Sequence, residues 1–463
     1  MNWKYFFKMM VTLALPIALQ NLLTTTASMV DTIMIGSQGE LSVAAVGICS
    51  QISSLFFSCY WGFASASILF FSQFWGAQDE RGINKTFGIT FLCMAFVGFG
   101  FSALCLIDPT FLLGIYTDKT TIIQTGSPYI KIIGFAYPLQ VFAVLISFLL
   151  RATERVKAPL ICSIISLVVN FALNFTLIYG RFGAPRMGVA GAAVGTLAAA
   201  IINLLLLMIY LLRSKCKIQL HLSQIFAFDQ AFIKRYLISA FPILCNELLY
   251  GVGQMLVNIV IGHQDESAIA AMAAFRVCEG FVYAFFGGLS NASSVVIGKS
   301  IGSGKHMDGY RFMKRSALFC PAVTFCIVLT CTILHNPLLH LFGLGNQALH
   351  YGAYMLLIYL FFGSVRTCNY IMNEGYRAAG ETMFGTVVEV CGLFFVSVPA
   401  TWIAGMVFHL PFLWVFSLVY TDELIRLVLE LWYTRTGKWI KPVTEAGKET
   451  LAEFQKTLYA KRG

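Results

Sequence analysis

Charge is scarce in this chain. Asp, Glu, Lys and Arg together make up 12 % of its 463 residues, about half of what a soluble globular protein carries. That supply cannot cover a water-exposed surface, so a soluble fold is excluded. Also missing are the alternating segments of about ten residues from which membrane β-barrels are built. The 13 cysteines are scattered singly with no CxxC, which argues against a disulfide framework or a metal cluster. No HExxH, GxSxG or DDxxD run marks an intramembrane enzyme. The opening MNWKYFFKMMVTLALP lacks a small-residue cleavage site, and its apolar run continues past a signal peptide's core, so it reads as a first span. What is plentiful is apolar: 58 % of residues are hydrophobic and the mean hydropathy is +0.76. Stretches of about 20 apolar residues recur, each enough to cross a bilayer core as a helix.

Twelve spans are expected, at 9–35, 42–72, 86–108, 124–150, 158–180, 187–212, 235–262, 267–298, 315–335, 347–374, 382–408 and 411–433. The net charge of +10 reflects loop placement, not a nucleic-acid partner. Only Lys119, Arg181 and Arg186 fall in the loops of one side, and Lys131, Arg276, Arg366 and Arg426 fall within spans. The other lysines and arginines crowd the loops and tails of the opposite side, which places both termini in the cytoplasm of a plasma membrane.

The two halves repeat. Residues 226 apart agree: Pro16 with Pro242, Ile35-Gly36 with Ile261-Gly262, Ala44-Ala45 with Ala270-Ala271, Gly62 with Gly288, Gly76 with Gly302, Arg151-Ala152 with Arg377-Ala378, and Pro185 with Pro411. The expected fold is an all-α polytopic membrane protein of twelve transmembrane helices in two pseudo-symmetric six-helix lobes. Both lobes start from the same side, which relates them by an axis along the membrane normal. The expected divisions are a first lobe at 1–213, a linker at 214–232 lying partly amphipathic at the inner surface, a second lobe at 233–434 and a cytoplasmic tail at 435–463. The tail places Leu451, Phe454 and Leu458 on one face of a short helix. Two such lobes suit a transporter working by alternating access.

Span 1 reads LALPIALQNLLTTTASMVDTIMIG. Asp31 sits five residues before Gly36, about 7.5 Å from the end of the span at 1.5 Å per residue. A carboxylate opposes the macrodipole at a helix C-terminus, so it is no cap. Its short side chain snorkels poorly, and carboxylates within spans commonly face an interior path for ions or substrate. Asn170 and Asn174 stand one turn apart in NFALN of span 5, where packing between helices is the plainer alternative. Span 6 carries GVAGAAVGT, whose small residues permit close approach and whose Thr196 offers a hydroxyl. Such a set could hold a proton or strip the hydration from a small cation.

That first span, with a proline and an aspartate fifteen residues later in V-D-T-I-M-x-G, resembles the first helix of the multidrug and toxic compound extrusion (MATE) family. SQFWGAQD, RATERVKAPLICSIISLVVNFALNFTLIYG, GVAGAAVGT, FPILCNELLYGVGQ and YRAAGETMFG resemble its spans 2, 5, 6, 7 and 10–11, so the likeness covers essentially the whole chain. The resemblance implies a prokaryotic, cation-coupled antiporter that exports small cationic or amphipathic organic compounds as a monomer among membrane lipids, without a cofactor. It implies that Asp31 couples the cation, with Asn170, Asn174 and Thr196 around it, and that Pro16 and Pro242 act as helix hinges. Asn174 stands where characterised relatives often have a second aspartate, which favours protons over sodium as the coupling ion. The alternative within the same superfamily is a flippase-like exporter of a lipid-linked metabolite.

The second half shares the frame but not the charges: Asp31 corresponds to Val257, and Glu247 to Asn21. Glu247 lies twelve residues past Arg235, about 18 Å into span 7, and is a candidate for contact with substrate or cation. Arg276 and Glu279 share a face of span 8 at i, i+3, which favours their pairing with each other. Arg366 in span 10 and Glu389 in span 11 complete the candidates. Arg366 falls near the span 10 acid of sodium-using branches. Glu374 and Arg377 read as a structural pair.

Overall fold

In the computed structural model, residues 2–213, 220–227, 229–340 and 342–460 are described, with Leu222 described by its backbone alone. Among them, eleven helices are long and apolar enough to cross a membrane. They are α1 (Trp3–Gly36), α2 (Glu40–Ala77), α3 (Glu80–Ile107), α4 (Thr120–Ala152), α5 (Lys157–Tyr179), α6 (Val189–Arg213), α7 (Gln230–Gly262), α8 (Glu266–Gly302), α9 (His306–Ile333), α10 (Asn346–Ala378) and α11 (Met383–Val407). The twelfth span, α12, comes in two pieces, Phe412–Leu418 and Thr421–Thr436, broken at Val419 and Tyr420. The protein is therefore a twelve-helix, two-lobe membrane protein, as the sequence predicts.

The helices overrun the apolar windows at several ends. α1 begins at Trp3 rather than residue 9, and α9 at His306 rather than 315. Hydropathy measures the thickness of hydrocarbon, whereas a helix continues through polar residues beyond it for as long as its backbone bonds close. Phe96, 83 % exposed, and Trp414, 66 % exposed, are among many large apolar side chains that point outward, as expected where lipid is the solvent.

Contacts divide the chain into two compact units. One comprises Leu19–Phe71 and Glu80–Leu237; the other comprises Met1–Ala18, Ser72–Asp79 and Ile238–Gly463. Within the first, α3 packs on α4, α4 on α6, and α5 on α6. Within the second, α9 packs on α10, α10 on α12, and α11 on α12. The same pairing recurs six helices later, so the sequence repeat is a repeat of contacts. The divisions between units cross α1 just after Pro16 and α7 just before Pro242.

α11 is locally irregular, with π-helical turns at Leu393–Ser397 and Ile403–Val407 around Pro399. Proline lacks an N–H and crowds the carbonyl four residues back, and widening the turn accommodates it. The expected tail helix is present as α13 (Glu445–Ala460), with Phe454 and Leu458 buried and ring contacts from Phe454 to His306 and Tyr310. Part of the expected linker, 214–219 and 228, lies outside the described residues. Its short helix Leu222–Ile225 packs on α3, where the backbone N–H of His221 donates to Asn84 Oδ1 at 2.9 Å.

Candidate functional site

In the first half, α1, α5 and α6 bring the four predicted residues together. Asp31 is half-buried. Asn174, fully buried on α5, donates from Nδ2 to Asp31 Oδ1 at 2.7 Å. In the orientation that gives both ends of its amide a partner, Asn170 also donates to Asp31 Oδ1, at 3.2 Å, and accepts from the Thr196 backbone N–H at 3.3 Å. One carboxylate oxygen thus collects two amide donors. Thr196 joins through its backbone, because its hydroxyl is spent on Ala192 O at 3.1 Å. This differs from the hydroxyl role expected of it, and the cause is ordinary i−4 bonding of a threonine inside a helix. Gly195 makes the arrangement possible: a Cβ there would lie 2.0 Å from Asn174 Oδ1.

Deeper along α1, Gln20 donates to Ser163 Oγ at 2.7 Å and accepts from Arg151 at 2.7 Å. Their counterparts 226 residues later are Asn246 and Glu389, and these also meet, with Asn246 Nδ2 donating to Glu389 Oε2 at 2.9 Å. The frame is conserved between the halves while its polarity changes from neutral to anionic.

The second half holds a charged cavity of about 200 Å³ between α7, α8, α10, α11 and α12. Glu279, Arg276, Arg366 and Glu389, all predicted, line it. The expected pairing of Arg276 with Glu279 is not what forms. Glu279 takes Arg366 of α10 at 2.5 Å and the Tyr420 hydroxyl at 3.2 Å, and Arg276 turns to Asn258 on α7. An arginine presented by a facing helix reaches the carboxylate head-on, and an i, i+3 neighbour gives way to it. Tyr250 completes the Arg366 shell, accepting at 2.7 Å. Glu247 stands apart from the cavity lining; Arg377 holds it at 3.5 Å and holds Glu374 at 2.7 Å, the latter being the expected pair.

Sequence reasoning passed over α12. Arg426, 4 % exposed, lies 3.2 Å from Glu389, 3.4 Å from Glu423, 3.7 Å from Glu430 and 4.0 Å from Asp422. Asn373 adds a second amide to Glu389 Oε2 at 2.8 Å, and Asn369 donates to Glu423 Oε2 at 2.8 Å. The signal was available: 422, 423, 426 and 430 share one helical face of an otherwise apolar segment.

Pro16 and Pro242 lie inside continuous helices. In each, the missing N–H leaves the carbonyl one turn earlier, that of Thr12 or Ile238, without its helical donor.

The MatE family model matches residues 16–176 and again 242–403, two segments that begin at the paired prolines. The chain belongs to the MATE family. The uncharacterized transporter YisQ of Bacillus subtilis (strain 168) is 23 % identical over 416 residues, covering 89 % of this chain and 90 % of its own. The probable multidrug resistance protein NorM of Thermotoga maritima (strain ATCC 43589) is 22 % identical over 438 residues, covering 94 % and 93 %. Among solved structures, a crystal structure of MATE in complex with MaL6 is similar in fold, with a TM-score of 0.83 at 17 % identity over 92 % of this chain and 95 % of that one.

As a MATE family member the chain is a transporter and not an enzyme. The double match gives the repeat its meaning: each MATE half carries the helix frame, and the charged side chains are distributed over it differently. In the first half Asp31 is met by neutral amides and Arg151 by the neutral Gln20. In the second the charged side chains form a network in which three arginines are shared among more carboxylates.

Proposed function

We propose that this MATE transporter is a proton-coupled antiporter that exports small cationic or amphipathic organic compounds across a bacterial plasma membrane by alternating access. Asp31 is the group that carries the coupling proton. The observation that supports this reading is the composition of its site: one carboxylate, two amides and a backbone N–H, with no second acid where Asn174 stands. One carboxylate carries one proton, whereas sodium at that place would have a single full charge and neutral oxygens to replace its hydration shell. In the second half, Glu247, Glu279 and Glu389 each meet an arginine, which leaves them poorly suited to sodium as well. The drug class follows the naming of the Thermotoga maritima relative as a probable multidrug resistance protein. Both termini lie in the cytoplasm, the protein works as a monomer, and Pro16 and Pro242 act as hinges that let α1 and α7 bend during the cycle.

The test is Asp31→Asn in proteoliposomes loaded with ethidium as the transported probe. The expected outcome is loss of efflux driven by a pH gradient, with folding and insertion unchanged. Wild-type efflux from Asp31→Asn would overturn the reading.

A further inference from the structure

One carboxyl in the second half has a proton count that gives every contact its own hydrogen when it is protonated. Ser397 Oγ lies 2.6 Å from Asp422 Oδ1 and 2.8 Å from the Val419 carbonyl oxygen. A serine hydroxyl has one hydrogen to donate, and here two acceptors stand within reach of it. If Asp422 were ionised, the two contacts would have to share that single hydrogen. If Asp422 carries a hydrogen, both close: its carboxyl donates to Ser397 Oγ, and Ser397 donates to Val419 O. The Val419 carbonyl is available because α12 is broken there, and Ser397 is presented by the π-helical turn Leu393–Ser397, a form frequent at functional positions.

The charge balance points the same way. The cavity is lined by the carboxylates Glu279, Glu389, Asp422 and Glu423 and by the guanidiniums Arg276, Arg366 and Arg426. Behind Arg426 stands Glu430, 0 % exposed, whose two oxygens have no hydrogen-bond partner. Five acids against three arginines is an imbalance that a buried site tolerates poorly unless protons or cations make it up. Among the described residues, no set of three or more acidic, histidine or cysteine side chains is arranged to hold a metal ion. The acids also differ in support. Glu389 has two amides and Arg426, and Glu423 has an amide between Arg366 and Arg426. Asp422 has only the contested hydroxyl and Arg426 at 4.0 Å. The remaining polar groups lining the cavity are the Tyr250 phenol, which accepts from Arg366, and the Gln254 amide, both on α7, and the Tyr420 hydroxyl on α12.

The repeat supplies an independent argument. Asp422 stands 226 residues after Thr196, the α6 residue whose backbone N–H closes the Asp31 site. Val257, which lines the cavity, stands 226 residues after Asp31. The same place in the helix frame thus has its carboxyl on the first helix of one half and on the last helix of the other. Gly392 makes room for it, since a Cβ there would come 3.1 Å from Asp422 Cβ.

We propose that Asp422, with Ser397 and the Val419 carbonyl at the wall of the charged cavity, is a second proton-binding site, the counterpart in the second half of Asp31. It rests on the reading of the chain as proton-coupled and adds a second place for a proton to reside. On release, the proton passes from Asp422 to water in the cavity, which is roomy enough for several molecules, and the Ser397 hydroxyl turns from Val419 O to the carboxylate. Arg426 then takes up the new charge.

Infrared spectra of the full-length protein in lipid vesicles, titrated with acid and base, test this directly, because a protonated carboxyl has a carbonyl band that an ionised one lacks. The expected result is a titrating band of which one component disappears in Asp422→Asn and survives in Asp31→Asn. Ser397→Ala keeps the carboxyl and removes its acceptor, so it should shift that component; it also serves if Asp422→Asn fails to fold. An unchanged band in Asp422→Asn, or an unshifted one in Ser397→Ala, would overturn the proposal. The Asp31 reading is judged separately, by ethidium efflux from Asp31→Asn vesicles, so the two can fail independently.

Discussion

The two halves of this transporter have the same helix pairing and opposite electrostatic economy. In the first, buried Arg151 hydrogen-bonds to the neutral Gln20, and a carboxylate at Asp31 is met by amides. In the second, the corresponding Arg377 holds Glu374 and Glu247, and Arg426 is shared by four acids. The difference teaches that a duplicated frame fixes where polar side chains can meet without fixing which of them are charged. A site with one titratable group can change its charge without disturbing others, whereas a network redistributes any change among its members.

The largest effect should come from breaking that network. Removing one partner of a buried ion cluster leaves charges uncompensated and costs about 3–5 kcal/mol. Arg426→Met is expected to lose stability on that scale, read as the thermal unfolding midpoint in detergent. Arg151→Met, which removes a guanidinium bonded to the neutral Gln20, should lose less, about 1.5–3 kcal/mol, the scale of one hydrogen bond to a charged group. Equal losses would mean that the halves do not differ as described.

Next in size is the close approach behind Asp31. In Gly195→Ala the new methyl would stand 2.0 Å from Asn174 Oδ1, so the amide must swing away from the carboxylate. We expect most gradient-driven ethidium efflux to be lost with the protein still folded. Thr421, at the corresponding position, bonds its own helix at Leu418 O, and Thr421→Ala should transport nearly as the wild type does. Retained efflux in Gly195→Ala would show that the Asn174 contact is dispensable.

Much of this contrast was legible in the sequence. Asp31, Asn170 and Asn174 were identifiable because a carboxylate and two amides at one-turn spacing are conspicuous in apolar spans, and the repeat was legible because the prolines and glycines keep a fixed offset. The partners of Glu279 were not legible. Local spacing favours Arg276, and only the facing of α8 and α10 brings in Arg366. Asp422 was hidden for a different reason. Its significance lies in a hydroxyl on α11 and a carbonyl freed by a helix break, neither of which hydropathy registers. Thr196 shows the limit of residue type as a guide: it lies beside Asn170 as expected, but meets it through its backbone N–H and not its hydroxyl.

The smallest effect concerns the turn between α10 and α11. Burial would raise the Glu381 carboxyl, but Lys441 at 2.5 Å, the Phe384 N–H and the Tyr433 hydroxyl outweigh it and hold the carboxyl below the usual glutamate range. A lowered value in the folded state means that the contribution to stability is complete above the unfolded group's value and fades as pH falls through the folded one. Glu381→Gln should therefore lower stability slightly at neutral pH and leave it nearly unchanged below the folded group's value, which flattens the acid limb of the stability–pH curve. The corresponding position of the first half is a base, Arg155, so this turn too keeps its place in the frame and changes its charge.

The central claim is that a proton on a single carboxylate of the first half drives transport. The most direct measurement is ethidium efflux from wild-type proteoliposomes under an imposed pH gradient, and then under an imposed sodium gradient with the pH gradient collapsed. The account predicts efflux in the first condition and none above the passive leak in the second. Efflux that persists without a pH gradient and rises with the sodium gradient would contradict it.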